Sequence, residues 1–253
     1  MRYIRFTHAG RIAYGVLEHH AVRLMDGDPF KGFVLSKQTL PLESVRLLSP
    51  CVPSKGVCVG LNYRDHAEEV HANIPSSPVV FLKPSGCTIG PDDPIIYPRM
   101  SKRVDFEAEL AIVIRKETRN ISIHEAKSHI LGYTCANDVT ARDLQAPDGQ
   151  WTVAKGFDTF MPLGPVITDE VDPSHLAVTT RLNGEVRQHS STKNLIFDCH
   201  YLLSYLSRIM TLYPGDVILT GTPSGIGPMM AGDVVEVEIE GIGLLRNTVA
   251  PQK

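Results

Sequence analysis

Three carboxylates in two apolar stretches have the types and spacing that suit metal chemistry. Glu107 and Glu109 lie two residues apart in VDFEAELAIVI, and Asp138 follows the apolar stretch GYTCAN. Successive side chains of a strand point to opposite faces, so Asp105, Glu107 and Glu109 share one face. Like charges placed this closely in an apolar setting repel and lose solvation unless a cation or a proton joins them.

Two interpretations of the acidic strand remain open from these residues alone. It is either a half-exposed strand whose acidic face contacts water, as in many antiparallel sheets, or a ligand set for a cation. Oxygen ligands from two strand ends suit Mg²⁺ or Mn²⁺ better than zinc, which prefers His and Cys. Three carboxylates would leave coordination positions for water or a chelating substrate. Asp138, taken alone, can equally cap a turn.

Two further polar residues belong to or follow segments that we interpret as strands: Lys155 lies within one, and Thr222 follows another. Lys155, in WTVAKGFD, is either a surface lysine whose stem covers apolar area or a buried cation of a site. Thr222 belongs to the glycine-rich loop of LTGTPSGIG, which can offer a hydroxyl and backbone amides to a carboxylate. That loop lacks the lysine of a phosphate-binding P-loop, which argues against a nucleotide site.

Arg142 and Gln145 form a short polar run after Asp138, in DVTARDLQ. Arginine binds carboxylates through two parallel hydrogen bonds, so Arg142 can clamp the carboxylate of a substrate. It can equally pair with a neighbouring acid, Asp143 or Asp148.

His66 and Glu69 lie three residues apart in YRDHAEEVH, which places them on one face of a predicted helix. A carboxylate beside a histidine raises its basicity and fixes its tautomer, an arrangement suited to a general base that acts through water. Such pairs are also common on helix surfaces, so the spacing alone does not decide between the two.

The composition excludes several classes of protein. The chain has 253 residues with a net charge of −3 and no basic block, which argues against nucleic acid or an anionic membrane as a partner. Its five cysteines are odd in number and form no C-x-x-C pair, which argues against a disulfide scaffold and a zinc knuckle. No apolar run approaches the roughly 20 residues that span a bilayer, and we expect a soluble cytoplasmic protein.

The elements that position these residues are mostly short strands. Turn residues recur at short intervals through residues 1–50, which predicts a small N-terminal β subdomain ahead of a catalytic domain over residues 51–253. Asn183-Gly184 predicts a hairpin. Because strands do not alternate with helices, the chain is predicted to be a β-rich α+β protein rather than a doubly wound sheet.

Three segments are predicted to be helical. YRDHAEEVHAN ends at Pro75, and NLIFDCHYLLSYLSRIMTL has a wide apolar face. SIHEAKSHIL begins at Ser122 with Glu125 three residues on, the pattern of a capping box.

Several strings in order resemble the fumarylacetoacetate hydrolase family. They are GLNYRDHAEE, VVFLKPSG, VDFEAELAIVI, GYTCANDVTARDLQ, WTVAKGFDTFMPLGP, LNGEVRQ, ILTGTPSGIG and GDVVEVEIEGIG. The resemblance covers roughly residues 51 to 250, whereas the first 50 residues resemble the family's variable N-terminal β segment only loosely. It implies a mixed β-roll core, a homodimer and one Mg²⁺ or Mn²⁺ ion per chain.

The same resemblance implies a role for each candidate residue. The roles are metal ligands for Glu107, Glu109 and Asp138, catalysis for Lys155, His66 and Glu69, and substrate binding for Arg142, Gln145 and Thr222. The family resemblance thereby favours the metal-site interpretation of the acidic strand and moves Lys155 from the surface into the site. It also implies that the segment with His66 and Glu69 becomes ordered when substrate binds.

The chemistry expected from the resemblance passes through an enolate of a 2-oxo acid, with its charge stabilised by the divalent ion and Lys155. An enolate of this kind is common to three reactions. They are hydrolysis of acylpyruvates, decarboxylation of acids such as oxaloacetate, and isomerisation of unsaturated dioates from aromatic-compound catabolism. A non-catalytic protein that binds a metal or a 2-oxo acid is the alternative from another class. We expect the loops 71–77 and 85–99 to select the distal half of the substrate.

Overall fold

The computed structural model describes residues 1–147 and 150–252, and strands dominate it. In chain order the strands are β1 (Arg2–His8), β2 (Arg11–Glu18), β3 (Ala21–Asp28), β4 (Gly32–Pro41), β5 (Arg46–Leu48), β6 (Lys55–Gly60), β7 (Val79–Pro84), β8 (Thr88–Ile89), β9 (Ile95–Tyr97), β10 (Val104–Phe106), β11 (Ala108–Ile114), β12 (Ile130–Asn137), β13 (Thr140–Ala141), β14 (Met161–Thr168), β15 (Ala177–Leu182), β16 (Glu185–Ser191), β17 (Val217–Leu219), β18 (Gly227–Met229), β19 (Val234–Ile239) and β20 (Gly243–Pro251). The helices are α1 (Arg64–Glu69), α2 (Ile123–His129), α3 (Thr152–Lys155) and α4 (Cys199–Ser207). The predicted β-rich α+β class is confirmed.

The strands form three sheets. The largest has twelve strands in the order β4-β3-β2-β1-β14-β12-β11-β17-β6-β7, with β5 beside β1 and β8 beside β14. A three-stranded sheet has the order β13-β10-β18, and a five-stranded sheet the order β16-β15-β19-β20-β9. Because β1 pairs with β14, the strands of residues 1–50 continue the large sheet. The division into two domains near residue 50 stays a prediction.

Strand β11 has an apolar core on each of its faces. Leu110 and Ile112 belong to one buried cluster, which also contains the apolar side of α4. Ala111 and Val113 belong to a second cluster on the opposite face. The alternation predicted from the sequence is therefore confirmed, but both faces are dry, as in the centre of a covered sheet.

The predicted continuous strand 104–114 is interrupted at Glu107. Strand β10 pairs with β13 and β18, whereas β11 pairs with β12 and β17, so the chain passes between two sheets at this residue. The Glu107 N–H donates to Asn137 Oδ1, and the Glu107 carbonyl accepts from Asp138 N. These contacts replace the ladder bonds that would have continued the strand.

Two of the predicted helices are shorter than expected, and one predicted strand is wrong. Helix α1 ends at Glu69 rather than near Pro75. Helix α4 begins only at Cys199, because the Asp198 carboxylate accepts a hydrogen bond from Tyr201 N and caps the helix there. Lys155, predicted in a strand, ends the single-turn helix α3.

Two local predictions are confirmed. Ser122 and Glu125 form the capping box of α2. Asn183 and Gly184 turn between β15 and β16 with φ of 54° and 84°, as the hairpin requires. Within residues 1–147 and 150–252, no helix has the length and apolarity to cross a bilayer.

Candidate active site

The candidate residues meet at one cavity of about 650 Å³. The cavity is lined by His66, Glu107, Glu109, Asp138, Arg142, Gln145, Lys155 and Thr222. Glu69 lies behind His66 and contacts its ring. The structure thus brings together all nine residues that the sequence analysis proposed for the site.

Pairing between β11 and β12 gathers the three carboxylates. Ala108 lies opposite Asn137, so Glu107 and Glu109 flank the position where β12 ends and Asp138 begins. Glu107, Glu109 and Asp138 are 6%, 2% and 1% exposed, which excludes an acidic face in contact with water. One oxygen from each of the three carboxylates lies within 4.8 Å of the other two.

Lys155 is a buried cation between two of these carboxylates. Its Nζ donates to Glu107 Oε2 at 2.9 Å and to Asp138 Oδ2 at 2.7 Å. Burial alone would lower the pKa of Lys155, but the charges of Asp138 and Glu107 outweigh it and raise that pKa. With an exposure of 2%, Lys155 is not a surface lysine.

Arg142 pairs with two acids that precede it in the sequence, Asp105 and Glu107. Its guanidinium donates to Asp105 Oδ2 at 2.9 Å, to Glu107 Oε1, and to Gln145 Oε1 at 2.5 Å. Asp143, one suggested partner, instead accepts from the hydroxyl of Ser101. The other suggested partner, Asp148, lies outside the described residues.

Lys155 and Arg142 form ion pairs with Glu107, whereas Glu109 has no such pair among the described residues. Burial would raise the pKa of Glu107, but Lys155 and Arg142 lower it to about 2. Glu109 accepts a hydrogen bond from Gly221 N at 2.6 Å. Burial, together with the charges of Asp138 and Glu107, raises the pKa of Glu109 well above its usual range.

The three carboxylates of Glu107, Glu109 and Asp138 fit a hard divalent cation. Asp138 Oδ1 is buried and faces the ammonium of Lys83 at 2.8 Å, but it accepts no well-directed hydrogen bond from the described residues. The oxygen atoms of the three carboxylates are close enough to share one ion, and carboxylate oxygen is the ligand that Mg²⁺ and Mn²⁺ prefer. The structure therefore provides a place for the ion that the resemblance implies.

Lys83 is a site residue that the sequence reading missed. It is fully buried, with Nζ 2.8 Å from Asp138 Oδ1. Its ammonium donates to the carbonyl oxygens of Val139, Lys155 and Phe160 at 2.7–2.9 Å. Its charge thus faces Asp138, while its hydrogen bonds hold the backbone on either side of the site. The alternation in β7, which puts Phe81 and Lys83 on one face, was the available signal.

Helix α1 brings His66 to the cavity, with Glu69 beside its ring. His66 Nδ1 lies 3.0 Å from Glu69 Oε2. Because an ionised carboxylate only accepts, Nδ1 carries the proton in this contact, and Nε2 of the neutral ring is free to act as a base. Glu69 Oε1 also accepts from Gly225 N at 3.0 Å, which ties α1 to the glycine-rich loop.

Asp65 ties the other end of α1 to the body of the protein. Its carboxylate accepts from His66 N at 2.8 Å, from the hydroxyl of Ser190 at 2.5 Å and from Asn194 Nδ2 at 3.4 Å. Helix α1 is therefore held at both ends while His66 faces the cavity.

Part of the apolar wall of the cavity comes from residues that the sequence analysis did not propose for the site. Ala146, Pro147 and Trp151 line it, and Trp151 packs edge-on against Phe81 with ring centres 5.1 Å apart. The loop 71–77 contributes Ala72. The loop 85–99 contributes none of the lining residues that the structure describes, and the role of the two loops in selecting the substrate stays a prediction.

Comparison with known families gives two matches along the chain. Residues 55–250 match the family model described as fumarylacetoacetate (FAA) hydrolase C-terminal. Residues 1–50 match a model described as Rv2993c-like, N-terminal.

Three relatives are informative about chemistry. Oxaloacetate tautomerase Fahd2a of Rattus norvegicus is 42% identical, over 83% of this chain and 71% of that protein. The structure of 2-hydroxyhepta-2,4-diene-1,7-dioate isomerase from Mycobacterium marinum is 44% identical with a TM-score of 0.93, covering 100% of this chain and 99% of that one. Maleylpyruvate hydrolase from Sphingobium sp. SYK-6, solved with manganese and pyruvate, is 29% identical with a TM-score of 0.83, covering 100% of both chains.

Proposed function

The chain belongs to the fumarylacetoacetate hydrolase family of enzymes, and from that premise we propose that it is a Mg²⁺- or Mn²⁺-dependent enzyme that moves protons on 2-oxo acids and their enols. The observation that carries the proposal is the buried set of Glu107, Glu109 and Asp138 beside Lys155. A metal ion held by these carboxylates would supply positive charge to the oxygen atoms of a 2-oxo acid.

Lys155 and Arg142 supply the positive charge that belongs to the chain itself. Both cations lie at the carboxylates on the floor of the cavity, where little water competes with them. When a proton leaves the carbon next to the oxo group, negative charge develops on the oxo oxygen. An ammonium held at that position stabilises the charge more strongly than the neutral ground state, which lowers the barrier.

His66 is the proposed base. Its imidazole lines the cavity, and Glu69 stabilises the positive charge that the ring acquires when it takes a proton. The hydroxyl of Thr222 and the amide of Gln145 are the proposed groups that orient the acid's carboxylate.

Isomerisation or tautomerisation of an unsaturated dioate is the first candidate reaction. The isomerase and the tautomerase are 44% and 42% identical to this chain, whereas the maleylpyruvate hydrolase is 29% identical. A cavity of about 650 Å³ with an aromatic wall is large enough for the distal half of a dioate such as those of aromatic-compound catabolism.

Hydrolysis of an acylpyruvate is the second candidate, and the His66–Glu69 pair supports it. A base that accepts a proton from carbon can also accept one from a water molecule that attacks an acyl carbon. Decarboxylation of oxaloacetate needs the same enolate but no attacking water. The non-catalytic alternative has no support, because these relatives are enzymes and all nine candidate residues lie at the cavity or its base.

A panel of substrates tests the proposal. The protein is incubated with Mg²⁺ and acetylpyruvate, fumarylpyruvate, oxaloacetate or 2-hydroxyhepta-2,4-dienedioate, and loss of enol absorbance is followed together with release of pyruvate and CO₂. We expect loss of enol absorbance without pyruvate or CO₂ for isomerisation, release of pyruvate without CO₂ for hydrolysis, and release of both for decarboxylation of oxaloacetate. Reaction rates no higher than those with Mg²⁺ alone for all four substrates would refute the proposal.

We further propose that the chain acts as a homodimer, as the family resemblance implies. Strand β7 ends the order of the large sheet and exposes the apolar side chains of Val79 and Leu82. Light scattering after gel filtration tests this, and a mass of one 27.8 kDa chain would contradict it.

A further inference from the structure

Gln188 is a fully buried polar side chain of β16 with all of its hydrogen-bonding capacity used. Its Oε1 accepts from Ala108 N at 3.0 Å and from the hydroxyl of Thr180 at 2.7 Å. Its Nε2 donates to Thr222 Oγ1 at 2.8 Å and to the carbonyl oxygen of Pro223 at 2.9 Å. An amide has two donors and two acceptor sites on this side chain, and each has one partner.

The orientation of this amide is fixed by backbone groups that have only one role. Ala108 N–H can only donate, so the oxygen of Gln188 must face it. The Pro223 carbonyl can only accept, so the nitrogen must face the opposite way. A rotated amide would place like groups together at both positions and leave them unsatisfied in a buried site, at a large cost.

This orientation determines the role of the Thr222 hydroxyl. Since Thr222 Oγ1 accepts a hydrogen bond from Gln188 Nε2, the hydroxyl's own hydrogen is available to a different partner. Among residues 1–147 and 150–252, it has no acceptor in the protein, and Thr222 lines the cavity. The cavity therefore receives a hydrogen-bond donor at this position.

Gln188 also connects the donor to the carboxylate strand. Ala108, whose N–H it accepts, lies between Glu107 and Glu109. One side chain thus fixes the distance between the candidate metal ligands and Thr222, which are the two places that a chelating acid must reach together.

We propose that Gln188 is a positioning residue that makes the Thr222 hydroxyl a dedicated donor to an anionic carboxylate oxygen of the ligand. The identity of that ligand as a 2-oxo acid rests on the proposed function. The donor role itself follows from the hydrogen bonds of Gln188.

Binding of pyruvate tests the proposal without requiring turnover. Pyruvate is titrated into Mn²⁺-loaded protein by calorimetry, and thermal melting of each variant reports its stability. Thr222→Val should weaken pyruvate binding about 10- to 100-fold, as expected for the loss of a hydrogen bond to a charged group. Thr222→Ser should retain binding within about threefold, because it keeps the hydroxyl.

The double-variant cycle assigns the role of Gln188. Gln188→Met should weaken pyruvate binding as much as Thr222→Val, and the double variant should bind no more weakly than Thr222→Val alone. Should Gln188→Met fail to fold, Gln188→Glu takes its place in the same cycle, since it keeps the side chain's size and its acceptor oxygen. Additive losses would show that Gln188 acts by general distortion and would overturn the proposal.

Thr180→Val is the matched control. It removes another hydrogen bond of the same amide but leaves Ala108 and Pro223 to hold the orientation. We expect a lower melting temperature with pyruvate affinity within about twofold of the parent. A loss of affinity equal to that of Thr222→Val would show that any damage to the network suffices, which contradicts a directed donor.

The binding assay separates failure of this inference from failure of the proposed function. If the parent turns over no 2-oxo acid but binds pyruvate through Thr222 and Gln188, the function is wrong and the inference stands. If turnover occurs while Thr222→Val binds pyruvate like the parent, the inference is wrong and the function stands.

Discussion

Lys155 has two roles at the scale of the single residue, and they are separable. Without a divalent ion, its ammonium neutralises Glu107 and Asp138 in a buried site. During the reaction, the same charge is proposed to stabilise an enolate. The first role concerns stability and the second concerns rate.

Replacing Lys155 by Met tests both roles. Removing one partner of a buried ion pair typically costs about 3–5 kcal/mol, so the metal-free variant should melt at a lower temperature. Mn²⁺ should then raise its melting temperature by more than it raises that of the parent, because the ion replaces the lost charge. The kcat should fall steeply with a smaller change in KM, and a change in KM alone would make Lys155 only a binding residue.

His66 and Glu69 allow the candidate reactions to be distinguished. If water attack is the reaction, His66→Ala should lower acylpyruvate hydrolysis about 10²- to 10⁴-fold, since a general base contributes that much. Decarboxylation of oxaloacetate, measured on the same preparation, should lose much less.

Glu69→Gln is the companion variant, because it removes the charge and keeps the size of the side chain. Its single carbonyl oxygen can accept from His66 Nδ1 or from Gly225 N but not from both. A defect selective for hydrolysis in both variants supports the base. Equal losses in both reactions would instead indicate that His66 helps to keep α1 closed over the cavity. An open site admits water, which would slow both reactions.

At the scale of the element, most features that depend on neighbours in sequence were predicted, whereas a feature that depends on a distant residue was not. The capping box of α2 and the turn at Asn183-Gly184 depend on neighbours in sequence, and both are confirmed. The break at Glu107 depends on Asn137, thirty residues away, which no local pattern reveals. The late start of α4 could have been predicted, because Asp198 is a residue type that often caps helices. The apolar residues on both sides of it favoured an earlier start in the sequence analysis.

The docking of helix α1 is the element-scale feature with a functional consequence. Asp65 holds the helix through Ser190 and Asn194. Within Arg64–Glu69, Ala67 is the only buried residue. Few buried contacts make a segment easy to open locally. We therefore expect the polar contacts of Asp65 to control how often α1 leaves the site.

Ser190→Ala tests that expectation with little risk to the fold. Backbone amides of residues 64–70 should exchange with deuterium several-fold faster than in the parent, while those of β11 remain protected. Ser191→Ala, on the neighbouring position of β16, is the control and should leave exchange in residues 64–70 unchanged. Unchanged exchange in Ser190→Ala would show that other contacts hold the helix.

At the scale of the whole molecule, the cysteines show how thoroughly the core is closed. All five are free and buried. Burial raises the pKa of Cys87 to about 11 and that of Cys51, Cys135 and Cys199 to about 12, while the pKa of Cys58 is raised well above its usual value. The prediction that they form no disulfide scaffold agrees with this arrangement.

The folded protein should therefore resist thiol reagents. At pH 8 we expect negligible reaction with an aromatic disulfide reagent over minutes, and five thiols per chain after denaturation, because the thiolate is the reactive form. Rapid reaction of any thiol in the native protein would show that its part of the core opens easily.

The residue types of the candidate site could be predicted from the sequence, but their partners could not. The resemblance indicated Glu107, Glu109, Asp138 and Lys155, and the structure places them at one cavity. The partners of these residues, which include Lys83, come from strands far apart in sequence. Sheet pairing brings them together. The alternation in β7 places Lys83 on one face of its strand, but it does not indicate which residue Lys83 contacts.

Binding of Mn²⁺ to protein freed of metal by EDTA is the most direct test of the central claim. Calorimetry should show one ion per chain, and turnover of the preferred 2-oxo acid should vanish with EDTA and return with Mn²⁺. Glu109→Gln, which keeps the acceptor for Gly221 N, should bind Mn²⁺ at least about 100-fold more weakly, since even residues behind metal ligands change affinity about 10- to 100-fold. Glu238→Gln, at an exposed position of β19, should bind like the parent. Full turnover in EDTA, or a Glu109→Gln variant that binds Mn²⁺ and turns over like the parent, would contradict the account.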